Sequence, residues 1–150
     1  MAGIGRDEVM GRRVEPAPDE PVLAEFRPDR MVYWKSHVVM AVVLGTAAGL
    51  FLIWQGNPWP VAGPLGAALA IGARAAYLAS EALGDVWLLT ERRLIGPGGR
   101  SVPLAQIRLA RPFLGAVQVV TLAGDKHLIK YQADPFAVAD RVMTATGRRA

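Results

Sequence analysis

Hydrophobic and polar positions fall into three regimes along this chain. Residues 1–37 are mixed and charged, Val38 to Ala73 contains no Asp, Glu, Lys or Arg, and charge returns at Arg74. At an average charge content of 20%, a 36-residue block would carry about seven charges. The block divides at a turn. Val38 to Trp54 is an apolar run of 17 residues, about 25 Å long as a helix, and approaches the hydrocarbon thickness once Ser36 and His37 are added. Gln55-Gly-Asn-Pro-Trp-Pro60 is a turn by composition. Val61 to about Leu83 predicts a second helix, rich in Ala and Gly. A link this short forces an antiparallel hairpin. A buried helical pair of a soluble protein is the alternative, but an uncharged block with aromatic ends suits a bilayer better.

Beyond Leu83 the period changes. Gly84–Thr90, Arg92–Ile95, Ser101–Leu104, Ile107–Arg111, Val117–Leu122 and Lys126–Tyr131 read as short strands, separated by turns such as Gly96-Pro-Gly-Gly99 and Ala123-Gly-Asp125. Pro103 removes a backbone donor and so assigns its strand to a sheet edge. Asp134-Pro135 supplies an N-cap and a first-turn proline. The helix they open places Phe136, Ala139, Val142 and Met143 on one face and stops at Gly147. The fold class is thus a membrane helical hairpin followed by a small all-β, partly open barrel closed by a C-terminal helix. The expected organisation is a flexible polar tail over 1–21, an edge strand and juxtamembrane segment over 22–36, the hairpin over 37–83 and the cytoplasmic β-domain over 84–147.

Charge and residue type add orientation and packing. Arg27, Arg30 and Lys35 precede the first span and Arg92 and Arg93 follow the second, while the connecting turn has no basic residue, so both termini are expected in the cytoplasm. Tyr33-Trp34 and Trp54 bracket one span, and Trp59 and Tyr77 the other. Gly45 and Gly49 form a G-x-x-x-G, and Gly63/Ala67, Gly66/Ala70 and Ala68/Gly72 repeat the small-residue spacing on the second helix. These could seal the hairpin within one chain or join copies into a homo-oligomer. Arg74 lies about 20 Å into the second helix, one turn before Tyr77, where its side chain can snorkel to the headgroups. Residues 1–37 carry six basic and seven acidic groups and residues 74–150 carry eleven and six, so the net +4 is −1 in the head and +5 in the tail.

Trp87-Leu-Leu-Thr-Glu-Arg-Arg-Leu-Ile95, the glycine turn, Leu104-Ala-Gln-Ile107, the Val117–Tyr131 hairpin and the Asp134-Pro-Phe-Ala-Val-Ala helix resemble the bacterial membrane-anchored pleckstrin-homology-like domains. The resemblance covers roughly residues 22–146. It implies two transmembrane helices directly before the domain, preceded by a short strand of the Val22-Leu-Ala-Glu-Phe-Arg-Pro28 kind, and a bacterial inner-membrane location. On that topology Val22–Phe26 would emerge beside Gly84–Thr90 and pair with it, making the hairpin an insertion after the first strand. The Arg111-Pro-Phe-Leu-Gly115 stretch departs from the glycine-rich segment that many members carry there.

Candidate chemistry is sparse. Cysteine is absent, which leaves no thiolate nucleophile and no cysteine metal site. His37 and His127 have no acidic or histidine neighbour at ligand spacing on a shared face. Gly96-Pro-Gly-Gly-Arg100 lacks the Lys-Ser/Thr and helix of a phosphate loop. No catalytic residue, cofactor or metal is therefore assigned, and nucleic acid is not expected because the basic residues are few and no aromatic stacking run accompanies them. Arg92, Arg93, Arg100, Lys126 and Lys130 remain as a candidate surface for anionic lipid headgroups or an acidic partner, or as charges that only fix topology. The implied function is non-catalytic: docking or assembly of a membrane protein complex, with anionic-lipid sensing or service as an accessory subunit of a transporter or enzyme as alternatives.

Overall fold

The structure is a computed structural model and describes residues 14–148; the part of the expected mobile tail before residue 14 lies outside the described residues. Two compact units are present. One is Arg30–Leu83, and the other joins the described residues up to Asp29 with those from Gly84 onward.

The first unit is two antiparallel helices, α1 (Arg30–Trp54) and α2 (Ala62–Ala82). At 25 and 21 residues they extend about 37 and 31 Å, and both are long and apolar enough to cross a bilayer. Helix α1 starts seven residues before the expected span, so the juxtamembrane stretch forms its first two turns. The helices approach closely where glycine permits it. A Cβ on Gly63 would lie 2.5 Å from the Gly49 amide nitrogen, and one on Gly45 would lie 3.0 Å from Pro64 Cα. Pro64 therefore seats in the notch that Gly45 and Gly49 leave in α1. Gly66 and Gly72 do not share this role, for a Cβ on either meets nothing within 4 Å. The reason is angular: α2 turns Gly63, Ala67, Ile71 and Ala75 inward at four-residue spacing, and Gly66 and Gly72 lie off that row. Tyr33 also differs from the expected interfacial ring. It is fully buried, and its hydroxyl donates to the Ala75 carbonyl at 2.6 Å, closing the open end of the hairpin.

The second unit contains two antiparallel sheets and a helix. β1 (Val22–Phe26), β2 (Trp87–Thr90), β3 (Arg93–Ile95) and β4 (Ser101–Pro103) form the first, in that order. A 3-10 turn at Leu104–Gln106 leads to β5 (Ile107–Phe113), β6 (Ala116–Thr121) and β7 (Lys126–Ile129), which form the second, followed by α3 (Pro135–Ala145). β1 pairs with β2 from Val22↔Thr90 to Phe26↔Trp87, so the helices are an insertion between neighbouring strands, as expected. Pro103 lies on the edge strand β4. β6 alternates with period two, burying Val117, Val119 and Thr121. Their core partners include Trp87, Leu89, Leu94, Ile107, Ile129 and Val142. Gly96 is what admits Trp87, because a Cβ there would sit 2.5 Å from the indole ring.

Helix α3 begins as its sequence dictates. The Asp134 side chain accepts from the Ala137 amide at 3.1 Å, Pro135 follows, and Gly147 has φ +72. Ala139, Val142 and Met143 are buried, but Phe136 is 74% exposed. Angular position alone does not bury a residue; the core contact of α3 starts only at Ala139. The Arg141 guanidinium donates to the Leu23 carbonyl at 2.8 Å, tying α3 to the edge strand β1.

Gly63→Ala should destabilise the helical unit by about 1–3 kcal/mol, because the added methyl meets backbone that cannot step aside. Gly66→Ala should be neutral or stabilising by up to about 1 kcal/mol through helix propensity. Thermal unfolding of the full chain in detergent compares them, and equal midpoints would refute the assigned contact row.

Candidate functional site

The best-organised polar site is built by the Thr90-Glu91-Arg92-Arg93 turn between β2 and β3. Thr90 is fully buried, and its Oγ1 accepts from the backbone N–H groups of Arg92 and Arg93 at 3.2 and 3.0 Å. This folds the turn back on the hydroxyl and leaves the hydroxyl proton free to donate. It does so to Glu20 Oε1 at 2.6 Å. Arg93 grips the same carboxylate with two prongs, Nε to Oε1 and Nη2 to Oε2, each at 3.0 Å. The Ala17 amide completes the set at 2.9 Å from Oε2. Glu20 is itself buried, so the expectation of a mobile tail through residue 21 is revised for this stretch: its acidic end is locked to the β-domain.

The electrostatics follow from those bonds. The Arg93 guanidinium first, then the Thr90 hydroxyl and the Ala17 amide, hold the Glu20 carboxyl down from the usual 4.5 to about 2, against the opposing effect of burial. Beside it Asp19 pairs with Arg92 at 2.9 Å. Arg92 lowers the Asp19 pKa, and Asp19 raises that of Arg92. With side chains 56% and 73% exposed, that second pair is a surface contact of small energetic weight.

The remaining expected site residues are dispersed. Arg100 is exposed in the β3–β4 turn, where its carbonyl accepts from the Gly96 amide at 2.8 Å. Lys126 is exposed as the first residue of β7, and Lys130 is exposed just after the last, the buried Ile129. Three of the five cations thus belong to turns of the first sheet and two to the second. Among the described residues, Arg92 and Arg93 have acidic partners, whereas no ion pair engages Arg100, Lys126 or Lys130. Register separates them further, since Thr90 pairs with Val22 at the end of β1 and β2 far from the helix connections.

In the helical unit, a groove of about 520 Å³ runs along one side, with His37, Ala41, Gly45, Ala68 and Gly72 among its lining residues. Gly72 therefore opens a groove rather than a helix contact. Arg74 is exposed on α2. His37 Nδ1 lies 2.8 Å from the Tyr33 carbonyl, and His127 meets the edge of Trp87 with ring centroids 6.3 Å apart. Among the described residues, no three His, Asp or Glu side chains gather so as to hold a metal ion. No protein-family model, curated protein or solved structure matches the chain.

The sequence offered no signal for Glu20 as a site residue. It sits in a proline-rich acidic stretch that reads as disorder, 73 residues from its arginine. The depressed carboxyl makes the acid limb of stability specific. The Glu20 contribution is complete above pH 4.5 and disappears as pH falls from 4.5 through about 2. Glu20→Gln should lower stability at pH 7 and flatten the pH dependence in that window, read by urea unfolding of the full chain at a series of pH values. An unchanged acid limb would show that the carboxylate is not the titrating group.

Proposed function

We propose that this is a two-pass protein of the bacterial inner membrane, with both termini cytoplasmic, whose helical hairpin anchors a pleckstrin-homology-like domain that acts as a non-catalytic docking module in assembly of a membrane protein complex. The observation that carries the reading is the pairing of β1 with β2 across the inserted hairpin. Phe26 pairs with Trp87, so the chain leaves for α1 and returns from α2 at one end of a single sheet. A domain joined by two short connections is held near whatever surface the hairpin occupies. Such a domain cannot diffuse away from the hairpin, and that suits a platform for partners already in the membrane. The four-plus-three strand arrangement with a C-terminal helix agrees with the pleckstrin-homology-like resemblance. The non-catalytic reading draws on the same inventory: the most elaborate polar site spends its arginine, hydroxyl and carboxylate on one another.

Crosslinking of the full chain in native membranes, followed by mass spectrometry, tests the docking reading. A recurring heterologous membrane partner supports it, and crosslinks confined to lipid and to copies of the chain refute it. A periplasm-active reporter fused after Ala150 should be silent, and activity there would invert the topology. Truncations meant to isolate the domain should retain residues 14–29, because residues 84–150 alone lack β1 and the Glu20 clasp.

A further inference from the structure

The turn between β5 and β6 is built against its own backbone preference. Phe113 pairs with Ala116, leaving Leu114 and Gly115 as a two-residue loop with φ of 48° and 77°. Positive φ at both central positions is the signature of a type I′ turn, for which Asn-Gly is the favoured sequence. Leucine is a poor choice there: its Cβ is crowded in the left-handed region, and its side chain has no polar atom to bond locally. Leu114 is nevertheless 92% exposed, and Phe113 beside it is 47% exposed. A residue that disfavours both the turn and the solvent points to a use outside the fold.

The hydrogen bonds locate this tip. The Gln132 amide donates to the Gly115 carbonyl at 2.9 Å, and the Gln132 side chain donates to the Arg27 carbonyl at 3.3 Å. The Asp29 amide donates to the Tyr131 carbonyl at 2.6 Å, and Arg30 is the first residue of α1. The tip is therefore stitched to the segment through which the chain leaves the β-domain for the helices. Tyr131 and Leu114 are the non-glycine positions with positive φ among the described residues, so backbone strain gathers at this end. Lys130 and Arg111 are exposed next to it. An apolar wedge flanked by cations, at the end of the domain joined to membrane-length helices, matches the chemistry of an anionic bilayer interface.

The geometry points to the Phe113-Leu114 turn as a lipid-inserting tip that docks the β-domain on the bilayer crossed by its own hairpin, with Lys130 and Arg111 at the level of the headgroups. This rests on the membrane reading proposed above and adds an orientation to it. Asn at 114 would serve the turn better, which separates folding from docking: Leu114→Asn should keep or raise the unfolding temperature while removing the wedge.

The absence of cysteine allows single-site labelling of the full chain. An environment-sensitive fluorophore is attached in turn to Leu114→Cys, Ala123→Cys and Val43→Cys, each reconstituted in vesicles of phosphatidylcholine and phosphatidylglycerol. Ala123 lies in the β6–β7 turn at the other end of β6, about 20 Å from the tip, and Val43 is exposed on α1. At Leu114 the emission should shift to the blue and be quenched by brominated lipid but not by iodide, with the reverse at Ala123. In a Leu114→Asn background, a probe on Phe113→Cys should lose its lipid quenching. Lipid quenching at Val43 without quenching at Leu114 overturns the tip while leaving the membrane reading intact. Absence of quenching at Val43 overturns both. A Leu114 probe shielded from iodide yet untouched by brominated lipid means that protein covers the tip, and also overturns it.

Discussion

The antiparallel pairing of β1 with β2 is the constraint from which the architecture follows. Paired strands lie about 4.8 Å apart, so Phe26 and Trp87 must be neighbours although the whole of α1 and α2 intervenes. A hairpin of two long helices can satisfy that only if its ends also converge. The close approach of Gly63 to Gly49, Pro64 in the glycine notch, and the bond from Tyr33 to the Ala75 carbonyl hold α1 and α2 together from the turn to the open end. Local helix packing and long-range strand pairing thus meet the same geometric requirement, each at its own end of the connections.

What could be read from the sequence was what is decided locally or by simple alternation. The uncharged block, the Gln55–Pro60 turn, the Asp134-Pro135 start of α3, the period-two pattern of β6 and the edge position of Pro103 all depend on residues within a few positions of one another. The insertion of the helices after β1 came from the family resemblance, which implied a strand at Val22–Phe26, together with the antiparallel hairpin that returns the chain to its starting side. Some of the losses share a cause as well. Burial of Phe136 and helix contact at Gly66 and Gly72 were expected from residue spacing, which gives an angular position but not the rotation or extent of the surface opposite. An interfacial place for Tyr33 was expected from its position at the end of the span, which does not show the Ala75 carbonyl that its hydroxyl meets. The Glu20 clasp was missed for a different reason: a carboxylate in a proline-rich stretch resembles a solvated tail until its partner, Arg93, is placed beside it by sheet register.

The clasp also changes what the arginine motif means. Thr90, Arg92 and Arg93 invite reading as a basic surface for an external anion. In the structure the chain supplies that anion itself, and the Glu20 carboxylate uses the Thr90 hydroxyl proton and two prongs of Arg93. An outside phosphate or carboxylate would have to displace a buried group that already holds four hydrogen bonds, counting the one from Ala17. Breaking one half of such a pair leaves the other uncompensated, so the arrangement resists exchange. The motif is best understood as the fastening of the N-terminal segment to the β-domain.

The two ends of the β-domain are therefore built on opposite terms. At the β2–β3 turn the polar groups are satisfied by one another, and the local sequence suits its conformation. At the β5–β6 turn the sequence opposes its conformation, apolar surface is left open, and two exposed cations stand nearby without an acidic partner among the described residues: Lys130, and Arg111, whose guanidinium donates to the Gln118 side-chain oxygen at 2.8 and 3.0 Å. Strain that the fold could remove by a single substitution, Leu to Asn, has no structural return within the domain. Through Gln132, whose amide donates to the Gly115 carbonyl and whose side chain donates to the Arg27 carbonyl, this strained turn is joined to the segment by which the chain leaves the β-domain, and that is the ground on which the bilayer is proposed as the surface it meets.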